Sequence, residues 1–263
     1  MNERLAEVLA DLAAEGDALE AIVAPLDETG WRRPTPAEGW DVAHQVAHLA
    51  WTDEVALAAV TDKVAWDAAV LAALEDPAGF VDREAARGAA TPPGDLLARW
   101  RTGRARLAEA LAALPEGTKI PWYGPPMSAT SMATARFMET WAHGRDVAAG
   151  LGVSLPADDR VRHVVHLGVR TRAYAYRNRG LEPPTSDVHV LLTLPSGATV
   201  EHGPADAEQQ VTGSAHDFAL VVTQRLHPAD ADLRASGADA EEWLSIAQAF
   251  AGPSGSGRDS RDG

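Results

Sequence analysis

The sequence predicts an α+β protein, mostly helical, with an N-terminal four-helix bundle followed by a smaller C-terminal α/β domain. Three observations lead there. Up to about residue 155, apolar side chains recur at helical spacing in four long stretches. Beyond Pro156 an alternating, β-branched segment appears, Val188 to Leu194. Alanine, whose cheapest conformation is helix, is abundant. A change from all-helix to mixed helix and strand marks a second domain. The expected divisions are 1–155, 156–252 and a tail, 253–263.

Residues 3–24 place apolar side chains on one face and acidic ones on the other, an amphipathic helix. The stretch TPAEGW (35–40) is rich in turn formers. A second helix is expected from about Asp41 to Ala59. Residues 62–93 carry shorter helical patterns and run into the flexible segment GAATPPGD (88–95). A third long helix covers about 95–114 and stops before Pro115 and Gly117. IPWYGPPM (120–127) reads as a loop. Ser128 and Thr130 are candidate caps for a fourth helix, about 129–149, which stops at Gly150 and Gly152. Four long helices with irregular connections suit a bundle. One helix is then expected over 158–179, followed by the strand Val188–Leu194 and a turn at 195–197. Further strands are expected at 198–202 and 209–212, and closing helices at 214–226 and 239–250. The tail 253–263 is poor in apolar residues and is expected to be disordered.

Composition narrows the function. A chain of 263 residues can bury a sizeable core. It has no cysteine, so disulfides, thiolate metal sites and a cysteine nucleophile are excluded. Any transition metal must be held by His, Asp or Glu. The net charge of -15 repels phosphate backbones and argues against a nucleic-acid partner. The N-terminal twenty residues carry charges every few positions, unlike a secretory or membrane-spanning segment. The expectation is a cytoplasmic enzyme of small-molecule substrates, without a membrane partner, as monomer or homodimer.

The strongest local signal is Glu139-Thr-Trp-Ala-His143. Residues four apart on a helix leave the same face, and Glu and His one turn apart can chelate a metal in a bundle core. The same spacing also suits a solvated pair or a core histidine. His48, in His44-Gln-Val-Ala-His48, sits on the second helix in a stripe with His44, Trp51 and Val55. The more apolar stripe Val42, Val46, Leu49 lies beside it, so His48 can point inward. His44 reads as an exposed helix residue. Arg136 lies three before Glu139 and can orient it or bind an anionic group bidentately; a surface role fits equally. Trp122 and Tyr123 can line the mouth of a site or simply pack. Asp146 is either a supporting group for His143 or a solvated helix position, and Asp53 lies on the flank of the His48 stripe. His163, His166, His189, His202, His216 and His227 form no ligand pattern.

The segments GWDVAHQVAHLAWTDE (39–54), WYGPPMSATSMATARFMETWAHGRDVAAGLG (122–152) and GSAHDFALVVTQR (213–225) resemble the DinB-like metal-binding proteins of actinobacteria. More specifically they resemble the mycothiol-dependent maleylpyruvate isomerase family, over nearly the whole chain except the tail. The resemblance implies that His48, Glu139 and His143 are the metal ligands. The position of His44 is usually not histidine in that family. The family's fold is a DinB-like four-helix bundle with a smaller C-terminal α/β domain. Arg225 matches, more loosely, an arginine that the family places near the thiol or substrate. It also suits a helix C-terminal cation facing the dipole.

Two imidazoles and one carboxylate suit Zn²⁺ with a coordination position left open, and would also accept Ni²⁺, Fe²⁺ or Mn²⁺. A thiol bound there loses its proton. The resemblance implies mycothiol as that co-substrate. The expected function is a metal-dependent, thiol-dependent transferase or isomerase acting on a small electrophilic metabolite, with Arg225 or Arg136 holding a carboxylate. A thiol-independent metalloenzyme and a non-enzymatic metal-binding module are the alternatives.

Overall fold

The computed structural model describes residues 2–255 and 257–261. The chain divides into two compact units, Met1–Leu155 and Pro156–Gly263.

The first unit contains α1 (Glu3–Val23), α2 (Glu28–Trp31), α3 (Val42–Thr61), α4 (Lys63–Glu75), α5 (Phe80–Ala89), α6 (Pro93–Ala113) and α7 (Ala129–Leu151). The long helices α1, α3, α6 and α7 form the bundle. Their starts follow local chemistry. Asn2 accepts the Leu5 N–H, Asp41 the His44 N–H and Ser128 the Ser131 N–H, each satisfying a donor that the first helical turn leaves open. Gly152, at φ 70°, closes α7 in the left-handed conformation. The mixed stretch 62–93 resolves into two helices. Asp76 separates them by accepting the Gly79 N–H at 3.0 Å.

Helix α3 runs through the middle. Val42, Val46 and Leu49 are fully buried and pack with Leu19, Val23, Trp31, Leu96, Trp100 and Val147. Burial of one such side chain contributes about 1.5–3 kcal/mol, so this cluster anchors the helix register. A polar tie crosses the same core. The Arg136 Nε on α7 donates to Asp53 Oδ1 on α3 at 2.8 Å, and its Nη2 donates to Thr52 Oγ1 at 2.7 Å. Gly150 lets α7 press against the 34–41 loop, because a Cβ there would lie 2.6 Å from the Pro34 carbonyl oxygen.

In the second unit, the helix expected over 158–179 is broken. A 3-10 turn at Asp159–Val161 leads into α8 (Arg162–Arg170), and α9 (Arg172–Asn178) follows. The Thr171 hydroxyl at the break donates back to the Leu167 carbonyl at 3.0 Å, a bond that competes with straight helix. The sheet has β1 (Val188–Thr193), β2 (Thr199–His202), β3 (Gln209–Ser214) and β4 (Leu233–Ser236), in the order β2-β1-β3-β4. The β1–β3 pair is parallel and the other two pairs are antiparallel. Val190, Leu192 and Val211 on the strands are buried, as are Phe218, Trp243 and Tyr176 on the helices of this unit.

Helices α10 (Ala215–Val222) and α11 (Ala238–Ile246) end earlier than expected. After α10, Gln224 takes φ 61° and the Arg225 N–H reaches back to the Leu220 carbonyl at 2.7 Å, a left-handed stop made without glycine. Several of the described tail residues, 253–255 and 257–261, make polar contacts. The Ser260 hydroxyl and the Arg261 N–H donate to Asp230, and Arg179 Nη2 donates to the Gly255 carbonyl. Among the described residues no helix is long and apolar enough to cross a membrane.

Candidate metal centre

Helix α3 brings His48, and α7 brings Glu139 and His143 one turn apart. One donor atom from each residue lies within 4.8 Å of the other two. Glu139 Oε2 sits between the imidazoles, 3.4 Å from His48 Nε2 and 3.2 Å from His143 Nε2. The ring centroids of His48 and His143 are 4.5 Å apart. The Glu139 side chain is 21% exposed against 10% and 13% for the histidines, so the cluster is sheltered but not sealed.

Burial, the largest single influence, pushes the Glu139 carboxyl up, but hydrogen bonds and charge from His143 and His48 outweigh it and hold it well below the ordinary 4.5. A carboxyl depressed by folding contributes stability that is present above its unfolded value and lost as pH falls through its folded value. Metal-free protein is therefore expected to lose stability as pH drops below about 4.5. Glu139→Gln should flatten that acid limb in thermal unfolding. Identical limbs in the two proteins would contradict the assignment.

The surroundings add residues that the sequence reading missed. Gln45, fully buried on α3, lies 2.5 Å from His143 Nδ1 through its Oε1, and its Nε2 donates to Thr35 Oγ1 at 2.8 Å. Trp40 stacks on His143 with centroids 5.9 Å apart and lies 5.4 Å from the His48 ring. Its indole Nε1 donates to Asp82 Oδ1 at 2.8 Å. Trp51 meets His48 edge-on at 5.9 Å. The available signal for Gln45 was its place one turn before His48 on the same helix. His48 Nδ1 is buried with no hydrogen-bond partner among the described residues.

The other expected residues fall elsewhere. His44 is engaged by Asp41 at the start of α3, with Nδ1 2.6 Å from Oδ1. Arg136 is only 2% exposed and committed to Asp53 and Thr52, so it is not open to a substrate anion. Asp53 and Asp146 are both buried, which removes the solvated reading of Asp146. Trp122 and Tyr123 join an aromatic cluster: Trp122 stacks on Trp66 at 5.8 Å, and Tyr123 lies 5.2 Å from Trp66 and 6.4 Å from Phe80. A chain of ring contacts links them to the centre through Phe80 and Trp51, whose centroids are 5.1 Å apart. Burial, helped by the Glu84 charge, pushes the Tyr123 hydroxyl up to about 12, so it stays protonated at neutral pH. Arg225 belongs to the second unit, where its Nη1 donates to the Thr223 carbonyl at 2.6 Å. His189 pairs with Glu201 at 2.8 Å, and the rings of His166 and His202 lie 5.6 Å apart. The cavity of about 250 Å³ between α1 and α6, lined by Leu9, Leu12, Trp100 and Leu107, includes none of the three donor residues.

The donor set fits a divalent metal. Two imidazoles and a carboxylate converge, and one imidazole is already anchored at its far nitrogen by Gln45. Known proteins resemble this chain in sequence and in fold. Residues 12–148 match the family described as mycothiol maleylpyruvate isomerase N-terminal domain. Uncharacterized proteins from two Mycobacterium tuberculosis strains are 56% identical over 250 residues, covering 95% of this chain and 97% of each relative. Crystal structures of the mycothiol-dependent maleylpyruvate isomerase and of a histidine-to-alanine mutant superpose with TM-scores of 0.59 and 0.58. They cover 90% of this chain and 96% of theirs at 18% identity, a likeness of fold. The matched segment spans over half of the chain and contains all three donor residues, and the chain belongs to the mycothiol maleylpyruvate isomerase N-terminal domain family.

Proposed function

We propose that this protein is a metal-dependent, mycothiol-dependent isomerase or transferase of a small electrophilic metabolite, with His48, Glu139 and His143 as the metal ligands. The observation that carries the reading is the convergence of these three donors from two helices within 4.8 Å. A divalent metal, zinc by preference, would supply Lewis acidity that favours the thiolate form of a coordinating thiol. Two neutral imidazoles and one carboxylate leave the site with net positive charge, which suits an anionic sulfur. The chain has no cysteine, so that sulfur must come from a co-substrate. The family name and the fold relatives supply mycothiol as its identity.

Trp40 and Trp51 flank His48 and exclude water from its sides. Arg225 is the group assigned to a carboxylate of the thiol or substrate. In the isomerisation, the thiolate sulfur adds to a carbon of a conjugated double bond, the resulting single bond rotates, and the sulfur leaves as the double bond re-forms. In a transfer, the adduct takes up a proton and the thioether is released.

Cobalt-substituted protein tests the reading. Addition of mycothiol is expected to raise a sulfur-to-cobalt charge-transfer band in the near ultraviolet, and turnover of an electrophilic substrate is expected only with the thiol present. Turnover without thiol and without the band would favour a thiol-independent metalloenzyme. Absence of both would favour a metal-binding module.

A further inference from the structure

We infer that Gln45 is the positioning residue of the metal centre, holding His143 with its proton on Nδ1 so that Nε2 is the ligand atom. This rests on the metal reading above. The argument follows the protons through one hydrogen-bond chain. The Thr35 hydroxyl donates its single proton to the Trp40 carbonyl at 2.8 Å. Its oxygen therefore receives from Gln45, whose Nε2 lies 2.8 Å away. That fixes the amide with nitrogen toward Thr35 and oxygen toward His143. An amide oxygen only accepts. The 2.5 Å contact to His143 Nδ1 thus requires a proton on that nitrogen, and a neutral ring then presents a lone pair at Nε2. Nε2 is the atom that faces Glu139, at 3.2 Å.

The chain begins in a rigid place. The 34–41 loop is closed by the Thr35 N–H donating to the Trp40 carbonyl at 2.9 Å, by the Pro34–Asp41 bridge, and by close packing on Gly150 of α7. The same loop lays the Trp40 ring over His143 and His48. Gln45 thereby couples the loop, α3 and α7 through a fully buried side chain. His48 has no equivalent: its Nδ1 has no hydrogen-bond partner among the described residues. The orientation of the centre is therefore set from the His143 side.

The test is zinc affinity of the full chain, measured by competition with a chromophoric chelator. Removing such an outer partner typically weakens metal binding by roughly 10–100-fold, and that is the loss expected for Gln45→Met. Gln45→Glu should restore wild-type affinity, because its carboxylate oxygen accepts the same Nδ1–H. Thr35→Val should give an intermediate loss, since it frees the amide to turn over. The thermal midpoint of each metal-free variant checks folding, and if Gln45→Met does not fold, Thr35→Val decides. Wild-type affinity in Gln45→Met, or in Thr35→Val where that variant decides, overturns the inference. Equal losses in Gln45→Met and Gln45→Glu do so too, since they would mark a purely structural role. Wild-type protein that takes up no zinc removes the metal reading and this inference together. Wild-type protein that binds zinc beside an unaffected Gln45→Met removes the inference alone.

Discussion

His143→Ala is expected to strip the protein of metal. Wild-type protein purified in zinc should hold about one equivalent after dialysis, as three converging donors allow. His143→Ala should hold close to none, and Glu139→Ala and His48→Ala should behave alike. The reason is chelation. With one donor gone, two protein ligands remain, and each added ligand binds without a further loss of translational freedom only while the others are in place. Removing Glu139 also removes the only negative charge in the set. The control is His44→Ala, which should keep its metal, because the His44 ring is engaged by Asp41 at the helix start. Metal analysis decides the matter. Full metal in His143→Ala with loss in His44→Ala would transfer the site to the His44–His48 pair.

Arg136→Met is expected to destabilise the bundle by about 3–5 kcal/mol, the range for breaking one side of a buried ion pair. Asp53 is 4% exposed and Arg136 2% exposed. Burial pushes the Asp53 carboxyl above its ordinary 3.8 even though Arg136 opposes the shift. Without Arg136 the burial cost is unopposed and the shift grows. A carboxyl whose folded value is raised contributes stability that is fully present below its unfolded value and is lost as pH rises through the folded one. The deficit of Arg136→Met should therefore be largest near neutral pH and shrink as pH falls toward 3.8. Asp53→Leu combined with Arg136→Met should recover most of the loss, since an apolar pair of similar size needs no desolvation of charge. Urea unfolding at several pH values reads all of this. A loss under about 1 kcal/mol, the value of an exposed pair, would mean that the charges are hydrated in solution.

The periodicity of apolar residues was enough to place the four long helices, because burial of one face repeats every turn and is written locally. It was enough to put Glu139 and His143 on one side of α7, and alternation was enough for β1. Other features depend on residues far apart in the chain. Arg136 shares a stripe with Glu139, yet its long side chain carries the guanidinium across to Asp53, 83 residues away. Gln45 and His143 are 98 residues apart, and nothing in either helix alone announces their bond. Strand β4 is four residues with alternating exposure at a sheet edge, and its pairing partner β3 defines it more than its own composition does. The hydrogen bonds from Ser260 and Arg261 to Asp230, 30 and 31 residues away, are likewise not registered by an apolar count. The sequence by itself determined the helices and which side chains share a face. Only the tertiary structure decided which buried polar groups meet, because a hydrogen bond depends on where packing brings two segments together, to within a few tenths of an ångström.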